Sequence, residues 1–228
     1  MDVGNGRRPA YAYGMAEKPH KRRDRYDVSG NVEAQYVDDA QAVLVNKCGI
    51  VDLEILQAAE EQALARAYGQ LLGEVHTDTP MSCDLLRHIH AAIFGELFDW
   101  AGRWRTVWIS KPGVTWPPPD FLDQSMEEFE RTVLARWPAD AIADDGSFCR
   151  AAGEIQGEFL TIHPFREGNA RTIKLLTDLL SVQTGRPLLA YDNSPGGADA
   201  YIEAAKKAFK RDYEPLATLI AEALARSR

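Results

Sequence analysis

The stretch that decides the fold is His163-Pro164-Phe165-Arg166-Glu167-Gly168-Asn169-Ala170-Arg171, which joins two apolar helices. Pro164 cannot continue the preceding helix and disfavours helical geometry at His163, so the chain must turn there. Phe165 is the only large apolar side chain of the stretch and is expected to pin the bend to the core. Gly168 lets the backbone approach a ligand closely. A new helix starting near Asn169 aims its free N–H groups and the positive end of its dipole at the bend, which makes an anion site.

Three side chains add chemistry to that anion site. Arg171 lies in the first turn of the new helix, where a planar guanidinium grips phosphate oxygens bidentately. Glu167 is a hard oxygen ligand beside the pocket, the arrangement in which Mg²⁺ is held between one carboxylate and substrate phosphates. His163, with an ordinary pKa of about 6.5, is largely neutral at pH 7 and can accept a proton from a hydroxyl. Base, metal ligand and phosphate grip on one turn imply phosphoryl or nucleotidyl transfer.

Outward from the bend the pattern is helical. On its N-terminal side, Phe148, Ala152, Ile155, Phe159 and Ile162 form one stripe, with Ser147 expected as the cap after an Asp144-Asp145-Gly146 loop. Gly153 and Gly157, at i and i+4, let another backbone come close. On its C-terminal side, Ile173, Leu176 and Leu180 define a helix that Gly185 and Pro187 end. Two more helices are expected at roughly 198–211 and 215–226. Earlier in the chain, Asp52 caps a helix carrying Leu53, Leu56, Ala63, Ala67 and Leu71, and Ser82 caps one carrying Leu85, Leu86, Ile89, Ile93 and Phe94. The run 106–110 is β-branched and aromatic, and Lys111-Pro112-Gly113 breaks it before 114–116, which predicts a short hairpin. Helices resume at about 120–136. The fold class is mainly α: a helical bundle with one short β-hairpin.

Composition bounds the function. With 228 residues, 45% of them hydrophobic, the chain has material for a real core and is not disordered. No run approaches the ~18 apolar residues of a membrane span, and the opening residues hold no apolar segment of a secretory signal. The net charge of −8 makes duplex binding a poor fit, so direct nucleic-acid binding is not expected. Residues 1–25 carry seven basic and three acidic side chains, a flexible basic leader of +4, leaving −12 on the rest. Cys48, Cys83 and Cys149 form no disulfide framework, which fits a reducing, cytoplasmic compartment. His88 and His90, with Cys83 or His76, match no standard zinc spacing. Of the five tryptophans, Trp108 and Trp116 in the hairpin are the two expected to touch a partner.

The nine-residue stretch resembles the signature HPFx[D/E]GNxR of the Fic family. LLRHIHAAIFGELFDWAGRWR (85–105) resembles that family's helix and WAG turn, and VLVNKCGIVD (43–52) resembles the start of its core. The resemblance covers roughly residues 24–220, and divides the chain into the leader 1–25 and a Fic domain 26–228. It implies a protein adenylyltransferase that moves AMP from ATP, with Mg²⁺, to a Ser, Thr or Tyr hydroxyl of a target protein. His163 matches the base. Glu167 matches the Mg²⁺ ligand, and Gly168 and Asn169 match the anion hole, with Ala170 beside the phosphate path. Arg171 and Lys174 match polyphosphate-binding positions, and Tyr201 is expected to line the adenine pocket. Trp108, Ile109, Ser110 and Lys111 match the flap that pairs with an extended target segment.

Two positions depart from the family pattern: Ala170 stands where most active members have Gly, and Lys174 where an Arg is common. Lysine keeps the charge and loses the fork. Both bear on the rival readings, a Doc-like phosphotransferase using the same loop or a binding module with reduced catalysis. The family's inhibitory pattern [S/T]xxxE[G/N] is met only in part, by Ser29–Glu33 and Thr218–Glu222. The resemblance therefore also implies a toxin-like protein restrained by a small antitoxin with an inhibitory helix.

Overall fold

In the computed structural model, residues 31–37, 40–111 and 113–228 are described, and the expected basic leader lies outside them. Seven α-helices and one two-stranded hairpin make up the regular structure of the described residues, with four short 3₁₀ turns.

The central element is α4 (Asp145–Ile162). Its cap is Asp144, not Ser147. The Asp144 carboxylate accepts from Ser147 N at 2.7 Å, while Asp144 N donates to Ser147 Oγ at 3.1 Å. Ser147 sits at the third helical position of this reciprocal box, so the aspartate takes the capping role expected of the serine. Around α4 pack α5 (Asn169–Gln183), α6 (Pro195–Ala208) and α7 (Glu214–Arg226). The two glycines of α4 permit this: a Cβ on Gly153 would lie 2.9 Å from Ala217 N, and one on Gly157 2.6 Å from Tyr213 Cδ1.

On the other side, α1 (Leu53–Glu74) and α2 (Cys83–Phe94) pair with each other and with α5. Their caps are as the sequence implies, Asp52 accepting from Ile55 N at 3.0 Å and Ser82 from Leu85 N at 3.1 Å. The stretch 120–136 is helical, as expected, in separate pieces. Only α3 (Leu122–Thr132) is α-helical, flanked by 3₁₀ turns at Pro119–Phe121 and Leu134–Arg136. The break falls at the β-branched pair Thr132-Val133, where Thr132 Oγ1 bonds back to Glu128 O at 2.8 Å. Helix α6 starts three residues earlier than expected because Ser194 caps it on Gly197 N at 3.1 Å and Pro195 fits its first position.

The hairpin is shorter than the sequence suggests. Strands β1 (Ser110–Lys111) and β2 (Val114–Thr115) pair antiparallel, Ser110 opposite Thr115. Thr106 is excluded from the ladder because its N–H and hydroxyl both go to the Glu33 carboxylate, at 2.9 and 2.6 Å. Val107, Ile109 and Trp116 form a small apolar cluster of their own beneath the hairpin. Among the described residues no helix is long and apolar enough to cross a membrane.

A pair of substitutions checks the glycine packing. Gly153→Ala should lower stability by about 1–3 kcal/mol through its clash with α7. Gly69→Ala, on the exposed side of α1 with nothing near its Cβ, should raise it by about 0.5–1 kcal/mol. Urea midpoints measured side by side report both signs.

Candidate active site

Two left-handed residues shape the bend. His163 ends α4 at φ 54, ψ 60, its N–H still bonded to Phe159 O at 2.8 Å. Gly168 opens α5 at φ 75, ψ 11. The glycine is also required sterically, because a Cβ there would sit 2.2 Å from the Phe94 ring of α2. Between them the loop is clasped by Asn169. Its Oδ1 accepts from Phe165 N and its Nδ2 donates to Phe165 O, both at 2.9 Å. The Asn169 carboxamide is therefore turned onto the loop backbone. What faces outward at the helix tip is backbone: the first intrahelical bond runs from Thr172 N to Gly168 O, so the N–H groups of Asn169, Ala170 and Arg171 precede it. Phe165 is fully buried and stacks on His90 at 3.8 Å.

The His163 ring has a defined tautomer. Nδ1 lies 3.2 Å from Leu160 O, and a carbonyl only accepts, so Nδ1 carries the proton and Nε2 is bare. Trp116 covers the imidazole at 4.1 Å between centroids and donates its indole N–H to the same Leu160 oxygen at 2.9 Å. Burial pushes the His163 pKa down to about 4, against the bond to Leu160 and the Glu167 charge, which favour the proton. Neutral imidazole is the form at physiological pH.

Arg171 and Glu167 line a cavity of about 900 Å³, together with Glu60, Tyr36, Leu56 and Arg166. That volume is in the range of small-molecule sites. The Glu167 carboxylate is half exposed and accepts from Gly168 N at 3.0 Å. The Arg171 guanidinium is held by the buried Glu60 carboxylate at 2.7 Å, lies 3.8 Å from Glu167 and stacks over Phe94 at 4.7 Å. Sequence reasoning missed Glu60; its signal was an acidic residue on the apolar row Leu56, Glu60, Ala63, Ala67 of α1. Among the described residues no group of three or more His, Cys, Asp or Glu could hold a metal. One carboxylate beside a cradle for phosphates is what Mg²⁺ held through its substrate needs, so Glu167 fits that ion.

Other expected site residues lie apart from this cavity. Lys174 sits over the rings of Tyr191 and Tyr201, at 4.3 and 4.0 Å, and Tyr201 donates to Gln156 Oε1 at 2.7 Å. Lys174 and Tyr201 line a separate cavity of about 120 Å³ with Glu222 and Arg226. Ala170 is half-buried against the core. In the flap, Trp108 is 50% exposed and Ile109 is buried, while Ser110 and Lys111 form β1. Trp116, expected at a partner surface, points inward because its ring is taken by His163. Of the two candidate inhibitory glutamates, Glu33 is buried on Thr106 and Glu222 lies 3.8 Å from Arg226.

Residues 80–181 match the model of the Fic/DOC family. Over that stretch the chain is similar to the Fic/DOC family. Protein adenylyltransferase VbhT of Bartonella schoenbuchensis is 31% identical over 139 residues, 61% of this chain and 29% of VbhT. The chain thus spans under a third of that relative's length. Probable protein adenylyltransferase y4lH of Sinorhizobium fredii is 25% identical over 178 residues, 78% of this chain and 89% of y4lH. The crystal structure of BepC, a VirB-translocated effector of Bartonella tribocorum with bound AMPPNP, shares the fold at a TM-score of 0.68 and 18% identity, covering 85% of this chain and 97% of BepC.

Within the Fic fold, the signature loop rests on His90. Its Nδ1 accepts from Gly102 N at 2.9 Å, so Nε2 carries the proton and donates to Glu167 O at 3.1 Å. Burial holds His90 neutral, its pKa pushed down to about 3. The unfolded chain takes up this proton near pH 6.5 and the folded one only near 3, so stability falls as pH drops through that window. His163 acts in the same direction. Urea midpoints at pH 7, 6 and 5 should therefore fall, and His90→Gln should make the acid-side slope shallower by about 1 kcal/mol per pH unit.

Proposed function

We propose that this protein transfers AMP from ATP to a Ser, Thr or Tyr hydroxyl of a target protein. The observation that carries the reading is a bare His163 Nε2 on the same short bend as the N-terminus of α5, Arg171 and Glu167. The names of VbhT and y4lH, and the AMPPNP held by BepC, support it.

The triphosphate lies against the N–H groups of Ala170 and Arg171, where the helix dipole offsets its charge, with the Arg171 fork on its outer phosphates. Glu167 would hold Mg²⁺, which would supply neutralisation of the phosphate charge. The hairpin presents an extended target strand along β1, with Trp108, Ser110 and Lys111 at its face and Ile109 anchoring it below. The target hydroxyl oxygen attacks the α-phosphorus as its proton passes to His163 Nε2. The bond from the α-phosphorus to the bridging oxygen breaks, and pyrophosphate leaves. The neutral tautomer fixed by Leu160 O presents the lone pair this step needs.

Restraint by a separate small antitoxin, whose inhibitory helix seats a carboxylate against the phosphate-gripping cations, belongs to the same proposal. Neither in-chain candidate faces Arg171, Glu33 being bonded to Thr106 and Glu222 lying beside Arg226.

Incubation of candidate targets with α- or γ-labelled ATP and Mg²⁺ tests the reading. Label from the α-phosphate should appear on protein, and His163→Ala should reduce it by about 10²-fold or more, with ATP affinity nearly unchanged. Transfer from the γ-phosphate instead would favour the Doc-like phosphotransferase, and binding with no transfer of either label the catalytically reduced module.

A further inference from the structure

We infer that Arg105 and Trp116 are positioning residues that fasten the hairpin to His163, so that the flap itself sets the backbone and tautomer of the base. The inference rests on the reading of His163 as the base, and its first readout does not require any transfer activity.

Arg105 is buried to 1% exposure and its guanidinium spans three segments. Nε donates to His163 O at 2.9 Å, Nη1 to Val107 O at 2.8 Å and Nη2 to Pro117 O at 2.7 Å. The backbone N–H of Arg105 adds a bond to Pro164 O at 2.8 Å. Val107 precedes β1 and Pro117 follows β2, so one planar group ties both legs of the hairpin to the bend. Its contact falls on the residue whose left-handed backbone is the least comfortable in the loop, since a side chain with a Cβ is strained in that conformation. A lysine has one ammonium and no fork, and cannot span three carbonyls in different directions.

Trp116 supplies the second tie. Its ring covers one face of the imidazole and its N–H fixes Leu160 O, the acceptor that selects the Nδ1–H tautomer of His163. A carbonyl has two lone pairs, so Leu160 O serves both donors. With one ring face covered and Nδ1 tied, Nε2 is the nitrogen left for a hydroxyl. The hairpin that would present the target and the group that would deprotonate it are thereby one mechanical unit.

The test is two-bond ¹H–¹⁵N spectroscopy of the histidine-labelled full chain at neutral pH, which distinguishes imidazole tautomers. Wild type should show His163 in the Nδ1–H form. Trp116→Leu and Arg105→Lys should give a mixture with the Nε2–H form, and Trp116→Phe, which keeps a ring over the imidazole, should restore most of the Nδ1–H population. With ATP and a responsive target, Trp116→Leu should lose kcat by roughly tenfold or more, as a misplaced base does, with KM for ATP within about twofold of wild type. A wild-type His163 that is not Nδ1–H overturns the inference whatever the variants do. So does an unchanged tautomer in folded Trp116→Leu. Should the larger changes fail to fold, Trp116→Phe decides with wild type: loss of the Nδ1–H form in that well-packed variant contradicts the role given to the ring.

Discussion

The Asn169 carboxamide gripping both the N–H and the C=O of Phe165 is the interaction on which the rest of the structure depends. It closes the bend on itself with two bonds in a fully buried setting, where an unmet backbone group costs about 1–3 kcal/mol. Because the clasp is internal, the bend keeps its shape while its outer rim is left for a ligand. Phe165 transmits that shape to the core through His90, Trp104 and Phe159. His90 returns it to the rim by holding Glu167 O. A loop of this kind is rigid from the inside.

Charge is arranged around that rigid rim by pairing. Arg171 is neither free nor aimed by chance: Glu60 and the Phe94 ring hold it, leaving part of its fork toward the cavity. Arg166 lines the same cavity and fastens the N-terminal segment, donating to Glu33 O at 2.9 Å and to Tyr36 Oη at 2.8 Å. Glu33 in turn holds Thr106 at the foot of the hairpin. The signature loop, the first described segment and the flap therefore form one connected frame, and Arg105 closes it from beneath.

Much of this is legible in the residues. Pro164 after an apolar stripe, a glycine before a helix, and a histidine, an acid and an arginine within nine positions suffice for the bend and its chemistry. The paired glycines of α4 announce its tight contact. What the sequence hides are partnerships across long separations. Nothing local marks Arg105 as a clamp on residue 163, or Trp116 as the cover of an imidazole, because both are set by where the hairpin lands on the bundle. The resemblance makes Asn169 a ligand for phosphate, yet the backbone of nearby Phe165 claims its carboxamide. Lys174 sits one turn beyond Arg171, yet Tyr191 in the connection before α6 and Tyr201 within α6 draw it into a cavity of its own.

The measurement that tests the account most directly is a crystal structure of the His163→Ala variant with Mg²⁺ and a non-hydrolysable ATP analogue. The account places phosphate oxygens on the N–H groups that open α5, the Arg171 fork on the outer phosphates, the cation on Glu167, and the α-phosphorus facing the vacated imidazole position. A nucleotide bound elsewhere on the surface, or a triphosphate that touches neither the α5 N-terminus nor Arg171, would contradict it.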